Sequence, residues 1–437
     1  MKEKRALYLL SFLIIFSPLP LGSVLCWSRY LLLFLVALTA YLLYPQELEL
    51  PQYPEIYYSK YLFIGFSIFL FFQLFPLPSF LLKLLSPNTS ALLKIVGLKP
   101  AFHPISVIPV QTLIYVIGFF PYAFLFLALW RRKWHSKEID LIFASFIASG
   151  LLQGIFAFLK YATKTQYFFL FFYQRPPSQF ATGTLVNPDH FSAMMEMLLP
   201  LSIAYIILRS QEKGFFNYLN SPGLLAIVAP LFIFGTSLIS GSRAGIISLI
   251  IGFLVVFELI LYRQFHRKKR FLKGVFAVLV FSTLFVGGII TYRKFLHVEQ
   301  RPEIWHTTMK IFKDFPIFGA GFGTYPSVAE LYKTVDMGGV IITHAHNEYL
   351  ETLADGGLLG TAFLLLPLLL LLYWNLKRWD RRRNPRVKIL NAGLYAAIAA
   401  IGLHSFFDFP LRIPSNMLYA VIIFALSMAL VEYGRRK

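Results

Sequence analysis

The chain is short of charge, of acid and of cysteine. Charged residues occupy 14% of its 437 positions, where a soluble domain carries about 25%, so a water-soluble globule is excluded. A single cysteine, Cys26, rules out an intramolecular disulfide and a cysteine metal cluster. No His-Glu-x-x-His pattern occurs, and no outer pair of carboxylates stands out for a divalent ion; neither metal nor cofactor is expected. Acidic residues number 21 against 41 Lys and Arg, a formal charge of +20. In a soluble protein that excess would point to nucleic acid. In a membrane protein it reports orientation first, because short cytoplasmic loops collect Lys and Arg, and no nucleic-acid partner is expected.

What is present is apolar. Hydrophobic residues make up 57% and aromatics 17%, with a mean hydropathy of +0.64. The expected fold is an all-α polytopic membrane protein, one integral domain over residues 1–437. Twelve spans are predicted, at about 6–20, 29–44, 61–76, 107–130, 139–161, 188–208, 223–240, 244–262, 274–291, 356–375, 389–407 and 414–432. The basic start and apolar run of the first span resemble a secretory signal, but further spans follow at once and a retained helix is the simpler reading. With both termini cytoplasmic, the alternation puts the basic clusters 131–137, 209–213, 263–273, 377–388 and 435–437 inside. Segments 76–106, 160–187, 240–243, 407–414 and the long loop 292–355, with its short helices, then lie outside.

The polar motifs crowd that outer face. His344-Ala345-His346-Asn347-Glu348-Tyr349-Leu350-Glu351 precedes an apolar run. The spacing predicts a helix from Ala345 to Ala354, stopped by Gly356 and Gly357, with His344, Asn347 and Glu351 on one face. Asn187 and Pro188 are a helix cap and first residue, which sets Asp189 and His190 in the first turn. Glu196 lies two turns deeper, where an unpartnered ionisable group is unfavourable by roughly 2–4 kcal/mol. Arg243 sits in a tight outer turn against the positive-inside preference, which suggests an anionic partner. Arg301-Pro302 opens a helix whose Trp305, Met309 and Phe312 form a packing stripe. The glycines of 316–325 lack a preceding strand, so they make a close-packed turn beneath the site and not a dinucleotide loop. Asp408 and Arg412 are expected to pair with each other. The aromatic run 167–173 suits a membrane interface.

His346-Asn347 followed by Gly357 and Gly360, with Gly183 to Pro188, Ser242-Arg243 and Arg301 to Tyr325 ahead of it in that order, resembles the O-antigen ligase and polymerase superfamily of bacterial envelope glycosyltransferases over about residues 180–415. Asp189 departs from the pattern, since relatives commonly carry asparagine there. The resemblance implies a GT-C-like bundle in the bacterial inner membrane with a periplasmic site. It implies an undecaprenyl-diphosphate-linked glycan as donor, and lipid A core or another glycan as acceptor. Transfer would proceed without metal: His346 would act as base, and Arg243 and Arg301 would bind the diphosphate. Asn347, Tyr349, His344, Asn187 and His190 would contact substrate. A polymerase extending lipid-linked chains is the alternative within the superfamily. A transporter or flippase is the alternative outside it, supported by the many spans and by Glu196; against it stand the one-sided motifs and the lack of an evident internal repeat.

Overall fold

The computed structural model describes residues 2–44, 54–164, 167–168, 171–174, 180–214, 217, 223–256, 301–333 and 341–434. Among these the regular structure is helical apart from two short hairpins, Leu77–Pro78 with Phe102–His103 and Tyr167–Phe168 with Phe171–Gln174. The helices are α1 (Lys2–Phe16), α2 (Cys26–Leu43), α3 (Pro54–Leu74), α4 (Ser79–Leu85), α5 (Pro87–Ile95), α6 (Pro109–Arg131), α7 (Ser136–Thr163), α8 (Pro188–Lys213), α9 (Gly223–Ile239), α10 (Arg243–Val256), α11 (Arg301–Asp314), α12 (Tyr325–Tyr332), α13 (Glu348–Asp380), α14 (Pro385–His404) and α15 (Pro414–Val431).

Seven of the described helices, α2, α6, α7, α8, α13, α14 and α15, are long and apolar enough to cross a membrane. Over the residues described in full, the apolar parts of α3, α9 and α10 are shorter, and α1 has 15 residues. The protein is a polytopic membrane protein; the expected span 274–291 and the basic cluster 263–273 lie outside the described residues. Proline at the first position starts α6, α8, α14 and α15, where its missing N–H is not needed. The core forms where small residues let backbones approach: at Gly393 of α14 an added Cβ would come 2.6 Å from Ala204 Cβ and 2.8 Å from the Pro200 carbonyl, the close packing that lipid-embedded helices rely on.

Ion pairs define the two ends of the bundle. At one end Arg132 bonds Glu3 at 3.0 Å and Glu138 at 2.6 Å, while Arg386 bonds Asp140 at 2.9 Å and Glu212 at 2.8 Å. The predicted basic clusters around 131–137, 209–213 and 377–388 therefore meet there. Helices α8, α13 and α15 run towards that end, and α7 and α14 run away from it, so the polar motifs gather at the opposite end.

One predicted element differs. The helix expected at 345–354 begins at Glu348, capped by Asn347, and runs to Asp380 without stopping at the glycines. It breaks internally instead: Gly357 adopts φ 61°, ψ −167°, a conformation open to glycine. The turn at 316–323 satisfies the freed backbone groups, as an apolar setting requires. The N–H groups of Leu358 and Leu359 donate to the Pro316 and Ile317 carbonyls at 2.8 and 3.1 Å; those of Ala320 and Gly321 donate to the Ala354 and Asp355 carbonyls, each at 2.9 Å. Gln73 of α3 closes the clasp, donating to the Phe318 and Asp355 carbonyls and accepting from Phe322 N–H. The expected close-packed turn beneath the site is thus present, and it serves as the splint of a broken helix. On α11 the buried residues are Ile304, Thr307, Thr308 and Ile311, one position out of step with the expected Trp305, Met309 and Phe312 stripe.

Candidate functional site

Two chain turns face each other at the polar end. One precedes α13 and carries His344 and His346; the other joins α14 to α15 and carries Asp408, Phe409 and Arg412. His346 has φ 49°, left-handed backbone that disfavours a Cβ by roughly 1–2 kcal/mol. The turn this produces lets His344 fold back on the helix it precedes. His344 Nδ1 lies 3.1 Å from Glu351 Oε1, and Ala345 N–H donates to Glu351 Oε2 at 2.9 Å.

His346 Nδ1 lies 2.8 Å from Asp408 Oδ1. The Asp408 side chain is fully buried, whereas His346 is 30% exposed. An ionised carboxylate can only accept, so Nδ1 carries the proton and Nε2 is left as the basic nitrogen. On its other side Asp408 Oδ2 stands 3.6 Å from His190 Nε2, the first turn of α8. Burial opposes ionisation of Asp408, but the His346 hydrogen bond and the nearby His190 and His404 hold its carboxyl well below the usual carboxylate range. Phe409 is the hub of the cluster: His344 stacks on its ring at 4.1 Å, and His190 and His346 meet it edge-on at 4.6 and 4.9 Å.

The expected Asp408–Arg412 pair does not form. Arg412 turns the other way and bonds Glu348 Oε2 at 3.2 Å and Glu351 Oε1 at 3.3 Å. Asp408 ends one turn and Arg412 lies in the single 3-10 turn Pro410–Arg412, so the two side chains leave the backbone in different directions. Burial works against the Arg412 charge, yet Glu351 and Glu348 raise its pKa above the ordinary guanidinium value.

The other predicted site residues divide. His190, His344 and His346 come together, and Arg301 joins them through Asp189: its Nη2 lies 3.5 Å from Asp189 Oδ2, next to His190 in the chain. Asp189 therefore tethers an arginine. Arg243 opens α10, half-buried. It is set beside the first turns of α8 by Gly245, where an added Cβ would come 2.0 Å from Ser192 Oγ. Asn187 and Asn347 are helix caps, accepting from Asp189 N–H at 2.8 Å and from Leu350 N–H at 3.0 Å. Tyr349 donates to the Gly402 carbonyl at 2.7 Å and packs tilted against Phe406 at 4.3 Å, which anchors α13 to α14. Glu196 has an internal partner: His404 Nδ1 lies 2.9 Å away, with both side chains fully buried, and Ser192 donates to it at 2.8 Å. Sequence reasoning missed Asp408 as the partner of His346, and it missed Phe409 and Arg412 altogether as site residues. The signal was there in the polar turn between two apolar spans. Among the described residues no group of three His, Cys, Asp or Glu is placed to hold a metal ion.

The arrangement defines a polytopic membrane protein with a histidine–carboxylate centre, flanked by arginines, at one end of its bundle. Residues 226–365 match the family model described as O-antigen ligase, the segment that carries the Ser242-Arg243, Arg301 to Tyr325 and His346 motifs. The chain is also similar to the teichuronic acid biosynthesis protein TuaE of Bacillus subtilis (strain 168), at 24% identity over 324 residues. The match covers 69% of this chain and 62% of that protein. That family is one of membrane glycosyltransferase-like ligases and polymerases that act on lipid-linked glycans.

Proposed function

We propose that the protein transfers a glycan from an undecaprenyl-diphosphate donor to an acceptor hydroxyl, with His346 as general base. The observation that carries this reading is the contact of 2.8 Å between a partly exposed imidazole and a fully buried carboxylate. Asp408 holds the ring by Nδ1 and fixes its orientation, while Nε2 is free to take the acceptor proton. In the step, the acceptor oxygen bonds the anomeric carbon as its proton passes to His346. The bond from that carbon to the diphosphate oxygen breaks, and the lipid diphosphate leaves with the electron pair. Arg301 and Arg243 stabilise that leaving charge by charge-assisted hydrogen bonds, Asp189 holding Arg301 in place. The periplasmic side of the inner membrane is the fitting location, because the basic clusters meet at the opposite end of the bundle.

The acceptor is lipid A core or another glycan. Polymerisation of lipid-linked chains is the second reading, and the relative named for teichuronic acid biosynthesis favours keeping it. The test is transfer by purified protein with EDTA present, offering lipid A core and a second lipid-linked glycan side by side. Product on lipid A core identifies a ligase, and lengthened lipid-linked chains identify a polymerase. His346→Ala should lower either rate by about 10²–10⁴-fold, and Arg243→Ala should lower it as well. Wild-type turnover in His346→Ala, or donor movement across liposomes without product, would overturn the proposal.

A further inference from the structure

Segment 76–106 lies at the polar end of the bundle, where an aqueous loop is the expectation. Its surface is not that of an aqueous loop. Leu77, Leu82, Leu93 and Ile105 form a small buried core of their own, yet the face turned away from that core is also apolar. Phe80 is 69% exposed and Leu84 75%, one helical turn apart on α4; Ile95 is 79% exposed at the end of α5, and Val96, Leu98 and Phe102 follow at 66%, 55% and 61%. A short helix in water would place polar residues there.

The charged residues of the segment, Lys83, Lys94 and Lys99, are exposed beside these apolar side chains. Long lysine stems with apolar neighbours are suited to a boundary, the stem in hydrocarbon and the ammonium among anionic headgroups. The patch is also continuous with the lipid-facing sides of the helices that flank it. Ile68, Phe71 and Phe75 lead into it from α3, and Val110, Leu113 and Ile117 lead away from it along α6, all exposed.

We infer that residues 79–102 form a platform seated in the headgroup and upper acyl boundary of the bilayer, its occupant the lipid surface itself. The platform is fastened under the candidate site: Phe318 of the 316–323 turn packs against its buried core, and Asn88 donates to the Asp314 carbonyl, at the end of α11, at 2.7 Å. Its depth in the lipid therefore fixes how far the His346 end stands above the hydrocarbon, whatever chemistry occurs there.

Spin labels test this in liposomes. In a Cys26→Ser background, single cysteines replace Phe80, Leu84, Ile95 and Leu98, with Lys313→Cys on the exposed last turn of α11 as the aqueous reference. Labels at the four apolar positions should collide more with oxygen, which concentrates in lipid, than with a water-soluble nickel chelate, and Lys313→Cys should show the reverse. Four separate positions keep the test valid if one variant fails to fold. Preference for the chelate at all folded positions would overturn the inference. So would exclusion of both reagents together with spin–spin broadening, which would mean that a second copy covers the face.

Discussion

At the residue scale, His346 combines a strained backbone with a contact to a buried carboxylate. Its φ of 49° is strained by roughly 1–2 kcal/mol for any residue with a Cβ, whereas glycine accepts it and adds only about 0.5–1 kcal/mol of unfolded-state freedom. His346→Gly relieves that strain but leaves the fully buried Asp408 without its hydrogen-bond partner, a cost of roughly 3–5 kcal/mol. It is therefore expected to lose transfer and to melt in detergent below wild type, and a midpoint at or above wild type would mean that the contact with Asp408 contributes nothing to the fold. Asp408 gives a pH prediction. Its carboxyl is held below the usual range, so it contributes stability above the unfolded-state aspartate pKa of about 3.9, and that contribution is lost only as pH falls through the lower folded value. Asp408→Asn removes the carboxylate that orients the His346 ring, and the transfer rate should fall about tenfold or more. A rate near wild type would detach Asp408 from the base.

At the element scale, two devices hold the site: the break in α13 and the ion pairs of Arg412. A Cβ at Gly357 would come 2.4 Å from the Ile317 carbonyl and 2.6 Å from Gly319 N, at a positive φ as well. Gly357→Ala must displace the splinting turn and should destabilise the fold by several kcal/mol, on the order of overpacking plus backbone strain. The readout is a lower apparent midpoint in a detergent thermal melt. Gly118, where an added Cβ meets nothing within 4 Å, is the control, and Gly118→Ala should leave the midpoint near wild type. Arg412 joins Glu348 and Glu351 of α13 to the turn after α14. Removing one member of a buried ionic cluster leaves uncompensated charge and costs roughly 3–5 kcal/mol. Arg412→Gln should therefore lower the melting midpoint more than Arg209→Gln, whose partners Asp140 and Glu212 lie at the half-exposed opposite end.

At the scale of the whole molecule, the bundle is polarised. Arg132, Arg209 and Arg386 bind acids at one end, and the three histidines, Asp408 and Arg301 lie at the other. Lys137→Cys and Lys313→Cys, each without Cys26, should react oppositely with a membrane-impermeant thiol reagent added outside intact cells: position 313 labelled, position 137 protected until the membrane is opened. Labelling of 137 from outside would invert the topology and move the proposed chemistry to the cytoplasm.

The sequence by itself determined what depends on neighbours along the chain. Low charge and long apolar runs made this a membrane protein, because hydrocarbon admits little else. Asn187-Pro188 began a helix where expected, because capping needs only the next two or three N–H groups. The motif order 183–188, 242–243, 301–325, 344–360 carried the family resemblance, and all four motifs lie at one end of the bundle, because alternating spans sort their loops between two faces. Only the tertiary structure decided which charges pair. Asp408 and Arg412 are four residues apart, a spacing that joins side chains on a continuous helix; here the chain turns between them. Asp408 goes to His346, 62 positions away, and Arg412 to Glu348, 64 away. Such partners are chosen by which turn packs on which, and Gly357 likewise broke its helix, instead of ending it, because a turn from another part of the chain was there to receive the freed hydrogen bonds.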